Sequence, residues 1–299
     1  MDMSKVFLKD SENRPSGAVF LSGSGTNAEK ILEDMQENGS RLHWTPKVLV
    51  TDRPKTSRAR EIAARFGLPL IEHGIAAFYR AHGMEHVTLA NEEGQRIREL
   101  WTDELRRKLE PYAVDFGILA GFVPLTNLAA SLPCLNVHPG DLTYLKNGRR
   151  WLVGLHSLPV ERAILEGQTS LRSSVILVRP YSAAAKDDVD NGPLLGISAP
   201  MKLDLQGHSL TELQEIFRQR QGNGVPHDLL SDLASHNQEL LKHAGDHVVY
   251  PAAIDDFAQG CFAEDDNGGL LFRENRHAAF QPICTVEYSA GGTKKILSR

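Results

Sequence analysis

The sequence has few cysteines and lacks any long apolar run. Its three cysteines, Cys134, Cys261 and Cys284, are far apart in 299 residues and show no Cys-x-x-Cys spacing. This pattern indicates neither a disulfide framework nor a thiolate zinc site, and it fits a reducing compartment. No stretch approaches the ~18 apolar residues that cross a bilayer, and residues 1–17 form a polar leader unlike a signal peptide. We therefore expect a cytoplasmic protein that binds no metal and no membrane.

The sequence also lacks an excess of charge of one sign. A formal net charge of −5 gives no general attraction for nucleic acid or for an anionic membrane. With 41% hydrophobic and 24% charged residues, the chain is long enough to bury a sizeable core. Neither nucleic acid nor a membrane is therefore an expected partner, and the sequence is compatible with both a monomer and a homodimer.

What the sequence does contain is an alternation of strand and helix patterns. The short apolar run "AVFLSG" leads into "NAEKILEDMQENG", where Ile31, Leu32 and Met35 have helical spacing. The strand "PKVLVTD" and the helix "SRAREIAARFG" repeat this order, and "VDFGILAGF" is typical of a strand buried on both faces. The pattern predicts an α/β fold with a single open, mostly parallel twisted sheet and helices on both faces, as in Rossmann-like proteins.

Predicted boundaries follow from the same patterns. We expect the polar leader at residues 1–17, the main domain at residues 18–275 and a tail at residues 276–299 that can form a hairpin. Two insertions interrupt the main domain, a polar and aromatic connection at about residues 141–153 and a helical stretch at about residues 207–240. The second insertion predicts two helices separated by a Gly/Pro break.

A glycine-rich turn lies between the first strand and the first helix, in "SGSGTNAEKIL". Glycines let the backbone approach a ligand, and a helix N-terminus favours an anion, so phosphate is the expected ligand. Gly23, Gly25 and Ala28 also match the dinucleotide fingerprint, with Asp52 as a candidate ribose partner, and this NAD alternative stays open. The hydroxyl and amide groups of the turn favour a terminal monophosphate.

Two further polar stretches follow predicted strands. In "LPCLNVHPGDL", alternation along a strand sends Asn136 and His138 to the same face. A satisfied polar pair that caps a buried strand is the alternative interpretation. In "DDVDNGP", the aspartates Asp187, Asp188 and Asp190 lead into a turn, and a solvated acidic turn is the alternative there. Ligands of open parallel sheets bind beyond the carboxyl ends of strands, so these stretches and the glycine turn can share one cleft.

Seven segments of the chain occur in the order and approximate spacing of one enzyme family. They are "LSGSGTNAEKIL", "VLVTDRPKTSRAREIAARFGLP", "VDFGILAGF", "LNVHPGDL", "SSVILV", "DDVDNGPLL" and "HVVYPAAIDDF". On these residues the chain resembles the phosphoribosylglycinamide formyltransferases, folate-dependent enzymes of the formyltransferase fold, over about residues 18–275.

The resemblance implies a reaction and a set of site residues. The reaction is transfer of the formyl group of 10-formyltetrahydrofolate, the co-substrate, to the amine of a phosphorylated acceptor, glycinamide ribonucleotide above others. The implied catalytic residues are Asn136, His138 and Asp190. The implied acceptor and phosphate contacts are Ser22, Gly23, Ser24, Gly25, Thr26, Asn27, Gly121, Pro139 and Asp246. The folate side is assigned to Leu119, Phe122, Val123, Leu125 and Val178.

The chain departs from the family pattern at several positions. Pro124 stands where the family commonly has Arg, and Ile176 stands where it has His. After Pro139 the family continues Ser-Leu-Leu-Pro, whereas this chain has Gly140 and Asp141 and then an insertion. Three basic residues of that insertion are expected to meet the glutamate tail of the folate, namely Lys146, Arg149 and Arg150. Another amine acceptor, a non-catalytic ligand-binding relative and an NAD-dependent oxidoreductase remain alternatives.

Two histidine pairs and one tryptophan complete the candidates. His82 and His86 are four residues apart, as are His243 and His247, and each pair is spaced to share a helix face. No third ligand stands at a fixed spacing, so we interpret them as structural histidines and not as a zinc site. Trp151 either stacks on a ligand ring together with the adjacent arginines or anchors the insertion.

Overall fold

The computed structural model describes residues 5–8, 13–180, 190–220 and 226–298. The strands are β1 (Lys5–Val6), β2 (Ser16–Leu21), β3 (Thr45–Thr51), β4 (Leu70–Glu72), β5 (Phe116–Leu119), β6 (Cys134–His138), β7 (Leu145–Lys146), β8 (Arg149–Arg150), β9 (Ser170–Leu171), β10 (Ser174–Leu177), β11 (Leu194–Ser198), β12 (Met201–Lys202), β13 (Phe262–Glu264), β14 (Leu270–Phe272), β15 (Gln281–Pro282), β16 (Thr285–Ser289) and β17 (Thr293–Leu297). The α-helices are α1 (Thr26–Asn38), α2 (Ala59–Phe66), α3 (Ile75–Ala81), α4 (Glu92–Leu109), α5 (Leu158–Leu165), α6 (Leu210–Gln219), α7 (Leu229–Leu241) and α8 (His247–Ala258). Short 3₁₀ helices cover Glu110–Tyr112 and Asn127–Ala130, and a π-helix covers Lys242–Asp246.

Among the described residues, the main sheet has nine strands in the order β17-β16-β11-β10-β6-β5-β2-β3-β4. Strand β2 pairs in parallel with β3 and β5, and β3–β4, β5–β6 and β11–β16 are parallel pairs as well. Strands β16 and β17 form the antiparallel hairpin expected in the tail. The predicted α/β fold with a mostly parallel sheet is confirmed. Smaller sheets are β1-β13-β14-β15, β12-β9 and β7-β8.

The chain divides into two compact units. The first comprises Met1–Asn136, Ile176–Pro193 and Ala253–Ile283, and the second comprises Val137–Val175, Leu194–Ala252 and Cys284–Arg299. This division is by spatial compactness. The sequence-based boundaries at residues 17 and 275 concern the extent of the enzyme-like region and stay predictions.

In the first unit, helical periodicity accounts for the core. Helix α1 buries Ile31 and Leu32, as their spacing predicts. Helix α2 ends at Gly67, whose left-handed backbone (φ 65°) lets its N–H reach the carbonyls of the last turn. Asn91 caps the N-terminus of the long helix α4, and its side chain accepts the N–H of Gly94. The last turn of α4 carries basic residues, where the helix dipole favours them.

The second unit has its own core, and the insertion contributes to it. Leu152 is buried together with residues of α5, α6 and α7. Within the insertion, β7 and β8 pair as a hairpin whose turn residues, Asn147 and Gly148, both have positive φ, 53° and 74°. Such a pair of left-handed residues suits a two-residue hairpin turn. The connection is therefore ordered structure packed on a core.

The helical insertion confirms the prediction of two helices. Helices α6 and α7 occupy its two halves, and residues 221–225 lie outside the described residues. Arg220 donates two hydrogen bonds to Glu161 of α5 and two to Asp228 at the start of α7. These charge-assisted pairs tie both helices to α5.

Three local predictions differ from the structure. Helix α3 has no counterpart in the predicted elements, because seven residues are too few for a clear helical period. It ends at Ala81, so the expectation that His82 and His86 can share a helix face is wrong. The apolar run "GPLLGISAPMKL" predicts one further strand, but the structure has two, β11 and β12, separated at Pro200, which has no N–H for a ladder.

Candidate functional site

The glycine turn is held by groups at the ends of three neighbouring strands of the first unit. The hydroxyl of Ser22, after β2, donates to Asp52 after β3 at 2.5 Å. The same oxygen accepts the N–H of Val123 at 2.9 Å, and the Ser22 N–H donates to the carbonyl of Gly121 at 3.1 Å. The carboxyl ends of β2, β3 and β5 are therefore linked through one serine. Because its hydroxyl is engaged twice, Ser22 supports the turn.

Asp52 is not placed as a ribose partner. It is 3% exposed, and burial raises the pKa of its carboxyl against the opposing effects of Ser22 and Arg53. A carboxylate that reads a ribose must present its oxygens to a ligand. The burial of Asp52 therefore weighs against the dinucleotide interpretation of the turn.

The two glycines of the turn have different surroundings. Gly25 has φ 69°, and a Cβ there would lie 2.4 Å from Cδ1 of Ile62 and 2.8 Å from Cδ1 of Leu21. A Cβ on Gly23 would meet nothing within 4 Å, and Gly23 is exposed. Gly25 is therefore needed by the fold, whereas Gly23 presents open backbone to whatever binds above the turn.

Two arginines, Arg58 and Arg65, form ion pairs with Glu29, the acidic residue in the first turn of α1. The Arg58 guanidinium binds Glu29 at 2.7 Å and Glu61 at 2.5 Å, and Arg65 binds Glu29 at 3.2 Å. Arg58 also donates from its backbone to the carbonyl of Gly23 and from its side chain to that of Ser24. Arg65 also binds Glu33, so the two arginines serve three carboxylates, and the preference of the helix N-terminus for an anion rests on its backbone N–H groups.

The residues predicted for the folate side divide into two sets. Leu119, Val123, Leu125 and Val178 are half-buried and have surface to offer a ligand. Phe122 points into the core, with its ring 5.3 Å from that of Phe20. The carbonyl of Leu125 accepts a hydrogen bond from the buried Arg98 at 2.6 Å, which fixes this segment from beneath.

Asn136 and His138 both lie on β6, two positions apart, as predicted. Asn136 belongs to the first unit and is half-buried, and its backbone is in register with Leu119 of β5. His138 belongs to the second unit and is 3% exposed. Its Nε2 lies 2.7 Å from the carbonyl oxygen of Leu152. A carbonyl only accepts, so Nε2 carries the proton.

The segment that contains Asp190 is fixed by its glycine. Asp190 is half-buried and belongs to the first unit, and Asp187 and Asp188 lie outside the described residues. A Cβ on Gly192 would lie 1.8 Å from the carbonyl oxygen of Leu177, and the Leu177 N–H donates to the carbonyl of Pro193. The backbone after Asp190 is thus packed directly on β10. A side chain at position 192 would prevent this packing.

Asp246 ends the π-helix in the second unit. Its carboxylate is buried and accepts the hydroxyl proton of Ser173 at 2.5 Å. A Cβ on Gly245 would lie 2.4 Å from that hydroxyl oxygen, so the glycine permits the approach. π-Turns of this kind occur often at functional sites. Next to it, the rings of His243 and His247 meet edge to face at 4.9 Å.

Lys146 and Trp151 of the insertion both make contacts within the second unit. The ammonium of Lys146 binds Glu166 at 2.6 Å and lies 4.6 Å from the Trp151 ring centroid. The second cation over Trp151 belongs to Arg162 of α5, at 5.2 Å. Trp151 therefore anchors the insertion, and Lys146 is engaged inside it.

Sequence reasoning misses the residues that support the site, namely Arg58, Leu152 and Arg162. Arg58 stands in an ordinary basic helix start, and a backbone carbonyl such as that of Leu152 leaves no sequence signal. The one available hint is Gly140, a glycine where the resembling family has serine. Of the predicted residues, the structure joins Ser22, Gly121 and Val123 by hydrogen bonds.

Neither a cluster of metal ligands nor a membrane-spanning helix occurs among the described residues. Across residues 5–8, 13–180, 190–220 and 226–298, no group of three or more His, Cys, Asp or Glu side chains is arranged to hold a metal ion. In the same part of the chain, no helix combines the length and apolar character needed to cross a membrane.

Sequence comparison gives a curated relative. No family model matches the chain. The chain is 27% identical, over 186 residues, to the chloroplastic phosphoribosylglycinamide formyltransferase of Arabidopsis thaliana. The match covers 61% of this chain and 53% of the relative, so the chain spans about half the length of the curated relative it matches.

Structural comparison gives the fold. Glycinamide ribonucleotide transformylase 1 from Symbiobacterium toebii superposes with a TM-score of 0.53 at 22% identity, covering 84% of this chain and 91% of that one. The phosphoribosylglycinamide formyltransferase of Coxiella burnetii gives 0.56 at 19% identity, covering 91% and 96%. That of Anaplasma phagocytophilum gives 0.54 at 18% identity, covering 88% and 97%. The chain has the fold of these proteins, and the resemblance inferred from its motifs is confirmed.

Proposed function

We propose that this protein, which resembles phosphoribosylglycinamide formyltransferases in sequence and fold, transfers the formyl group of 10-formyltetrahydrofolate to the amine of glycinamide ribonucleotide. The observation that carries the proposal is the amide–imidazole pair of Asn136 and His138 on one strand, with a buried imidazole whose Nε2 is fixed as a donor. The motif resemblance and the sequence similarity to the phosphoribosylglycinamide formyltransferase of Arabidopsis thaliana support the choice of reaction.

The reaction needs stabilisation of a developing oxyanion. The acceptor nitrogen attacks the formyl carbon, a carbon–nitrogen bond forms, and the carbonyl electron pair moves to oxygen. Asn136 and a cationic His138 project from the same strand face and would donate hydrogen bonds to that oxyanion. The intermediate then collapses, and the bond between the formyl carbon and N10 of the folate breaks.

A proton must also move from the acceptor amine to N10. We assign Asp190 to this transfer, acting through water. A carboxylate is a suitable proton carrier because the amine becomes acidic once it bonds to the formyl carbon. The glycine-fixed backbone after Asp190 supports this assignment, since a proton carrier must be held in place.

The acceptor phosphate is assigned to the glycine turn. The open backbone at Gly23, the N-terminus of α1 and the polar side chains Ser24, Thr26 and Asn27 suit a monophosphate. Gly121 is a further proposed acceptor contact in the first unit, with Ser22 and Gly25 supporting the turn, and Pro139 and the buried Asp246 of the second unit stay predicted acceptor contacts.

The folate is assigned to the half-buried apolar residues. Leu119, Val123, Leu125 and Val178 would form a wall for the pterin, and Phe122 would stiffen it from the core side. Since Lys146 binds Glu166, we assign contact with the glutamate tail of the folate to Arg149 and Arg150. We propose that the protein acts in the cytoplasm on these small molecules, and both a monomer and a homodimer are compatible with the proposal.

The test is formyl transfer from 10-formyltetrahydrofolate to a panel of phosphorylated amines. We expect glycinamide ribonucleotide to be the preferred acceptor. Loss of a single oxyanion donor in Asn136→Ala or His138→Ala should lower kcat by about 10² to 10³, and Asp190→Asn should lower kcat with little effect on substrate binding. His236→Ala, at a half-buried histidine of the second unit that lies 3.4 Å from Asp204, is the matched control.

Other results would replace the proposal. Preference for a different amine would change the acceptor and keep the reaction. Binding of folate and phosphate ligands without turnover by the intact protein would favour the non-catalytic alternative. Near-full activity of the folded Asn136, His138 and Asp190 variants would remove the catalytic assignment.

A further inference from the structure

The imidazole of His138 has a hydrogen-bond partner that belongs to the insertion. His138 ends β6, and the carbonyl that accepts its Nε2 proton at 2.7 Å belongs to Leu152, fourteen positions later. Leu152 is 2% exposed and packs in the core of the second unit. The contact is therefore enclosed, and a hydrogen bond in such surroundings is stronger than one in water.

Gly140 makes room for this contact. A Cβ at position 140 would lie 2.4 Å from the Leu152 carbonyl oxygen and 3.0 Å from Nε2 of His138. It would also lie 3.1 Å from Cβ of Pro159. Any side chain at this position would thus occupy the space in which the carbonyl meets the imidazole. The glycine at position 140, where the family has serine, therefore leaves the room that the Leu152 carbonyl of the insertion needs.

Arg162 holds the segment that presents the carbonyl. Its Nη1 donates to the carbonyl of Trp151 at 3.1 Å and to that of Val153 at 2.8 Å, the two carbonyls that flank that of Leu152. Its guanidinium lies against the Trp151 ring. Arg162 therefore fixes the peptide units on both sides of the one that faces His138.

We propose that the insertion supplies the acceptor that fixes the tautomer and orientation of His138, with Arg162 as the positioning residue and Gly140 as the residue that makes room. The meaning for catalysis rests on the proposed function. With Nε2 held as a donor to the Leu152 carbonyl, we assign the oxyanion donor of the proposed reaction to the Nδ1–H of the cationic ring.

Nitrogen-15 NMR of the histidine rings in the full-length protein tests the proposal directly. The His138 signals are assigned by their loss in His138→Ala, and we expect the Nε2–H tautomer in the wild type. In Gly140→Ala and Arg162→Met, we expect a mixture of tautomers and a fall in kcat of about tenfold or more, as for other groups that orient a functional histidine. The KM values for both substrates should stay within about threefold, since only an interaction specific to the transition state is weakened.

Two further variants sharpen the test. Arg162→Lys keeps a cation and a donor and should restore part of the wild-type signal. Lys146→Met removes the other cation over Trp151 without touching the carbonyls, and it should leave the His138 signals unchanged. If Gly140→Ala fails to fold, the comparison of Arg162→Met with Arg162→Lys decides the question.

Unchanged His138 signals in folded Arg162→Met and Gly140→Ala would overturn the proposal. A wild-type His138 in the Nδ1–H form would do the same. Failure of the proposed function gives a different result, in which the tautomer responds to both substitutions but the wild-type protein transfers no formyl group.

Discussion

The glycine turn in the first unit and the insertion in the second are both ordered, but by different means. The turn depends on its backbone conformation, with Gly25 at φ 69°, and the carbonyls of Gly23 and Ser24 accept hydrogen bonds from Arg58. The insertion is held by side chains, with Trp151 between two cations and Arg162 donating to two carbonyls. Changes in the turn should therefore act through backbone geometry, and changes in the insertion through the loss of specific side-chain groups.

Substitutions in the two regions should therefore impair the protein in different ways. A turn whose shape depends on a left-handed glycine has no conservative replacement, because any Cβ strains the backbone. A segment held by a cation tolerates another cation in part. We therefore expect substitutions in the turn to affect stability or ligand binding, and substitutions around Leu152 to affect turnover in a stable protein.

The largest expected effect separates the two glycines of the turn. Gly25→Ala places a side chain at φ 69°, which costs about 1–2 kcal/mol. It also brings a Cβ to 2.4 Å from Ile62, an overpacking worth about 1–3 kcal/mol. Gly23→Ala should leave the free energy of unfolding within about 0.5 kcal/mol of the wild type. Urea unfolding of both variants checks this, and equal stability of the pair would contradict the assigned surroundings.

The next effect concerns binding at Gly23. Gly23→Val puts a branched side chain over the open backbone of the turn, so it should raise the KM for the phosphorylated acceptor about tenfold, or ~1.4 kcal/mol. The KM for the folate should change little, and the protein should unfold like Gly23→Ala. Steady-state kinetics with each substrate varied separately measures both constants. An effect on the folate KM alone would move the phosphate site away from the turn.

The smallest expected effect is a change in pH dependence at Asp52. Burial raises the pKa of this carboxyl in the folded protein, so the folded state holds its proton to higher pH than the unfolded state does. Stability therefore falls as pH rises from the unfolded value through the raised folded value. Asp52→Asn keeps an acceptor oxygen for Ser22 and removes the charge, so this fall should disappear. Loss of the charge opposite Arg53 limits the net gain.

Denaturant unfolding from about pH 4 to neutral measures the Asp52 effect. The wild type and Asp52→Asn should converge at the acidic end and separate as pH rises. Parallel curves over the whole range would mean that Asp52 titrates alike in both states.

Much of the first unit is predictable because its signals are local. Helix α1 follows from the spacing of Ile31 and Leu32, and the turn before it follows from two glycines between an apolar run and that helix. The polar pair on β6 follows from the period of two along a strand. Each of these inferences uses residues that are close in the sequence.

The supporting contacts of the second unit are not predictable in the same way. The link between His138 and Leu152 involves a backbone carbonyl, which is the same for every residue type. Arg162 reads as an ordinary basic residue on a helix, and its partners are main-chain atoms nine and eleven positions earlier. The packing of the insertion on α5 decides these contacts, and sequence periodicity carries no information about it.

The outer strands of the main sheet bear on how the protein behaves at high concentration. One edge strand, β4, has three residues, and its Glu72 is paired with Arg60. The other, β17, carries the exposed lysines Lys294 and Lys295. Open strand edges are templates for association with other chains, and short length and lysine both discourage such pairing. The sheet is thereby protected against edge-to-edge aggregation, so crowding during synthesis should not draw copies of the folded chain into extended β-assemblies.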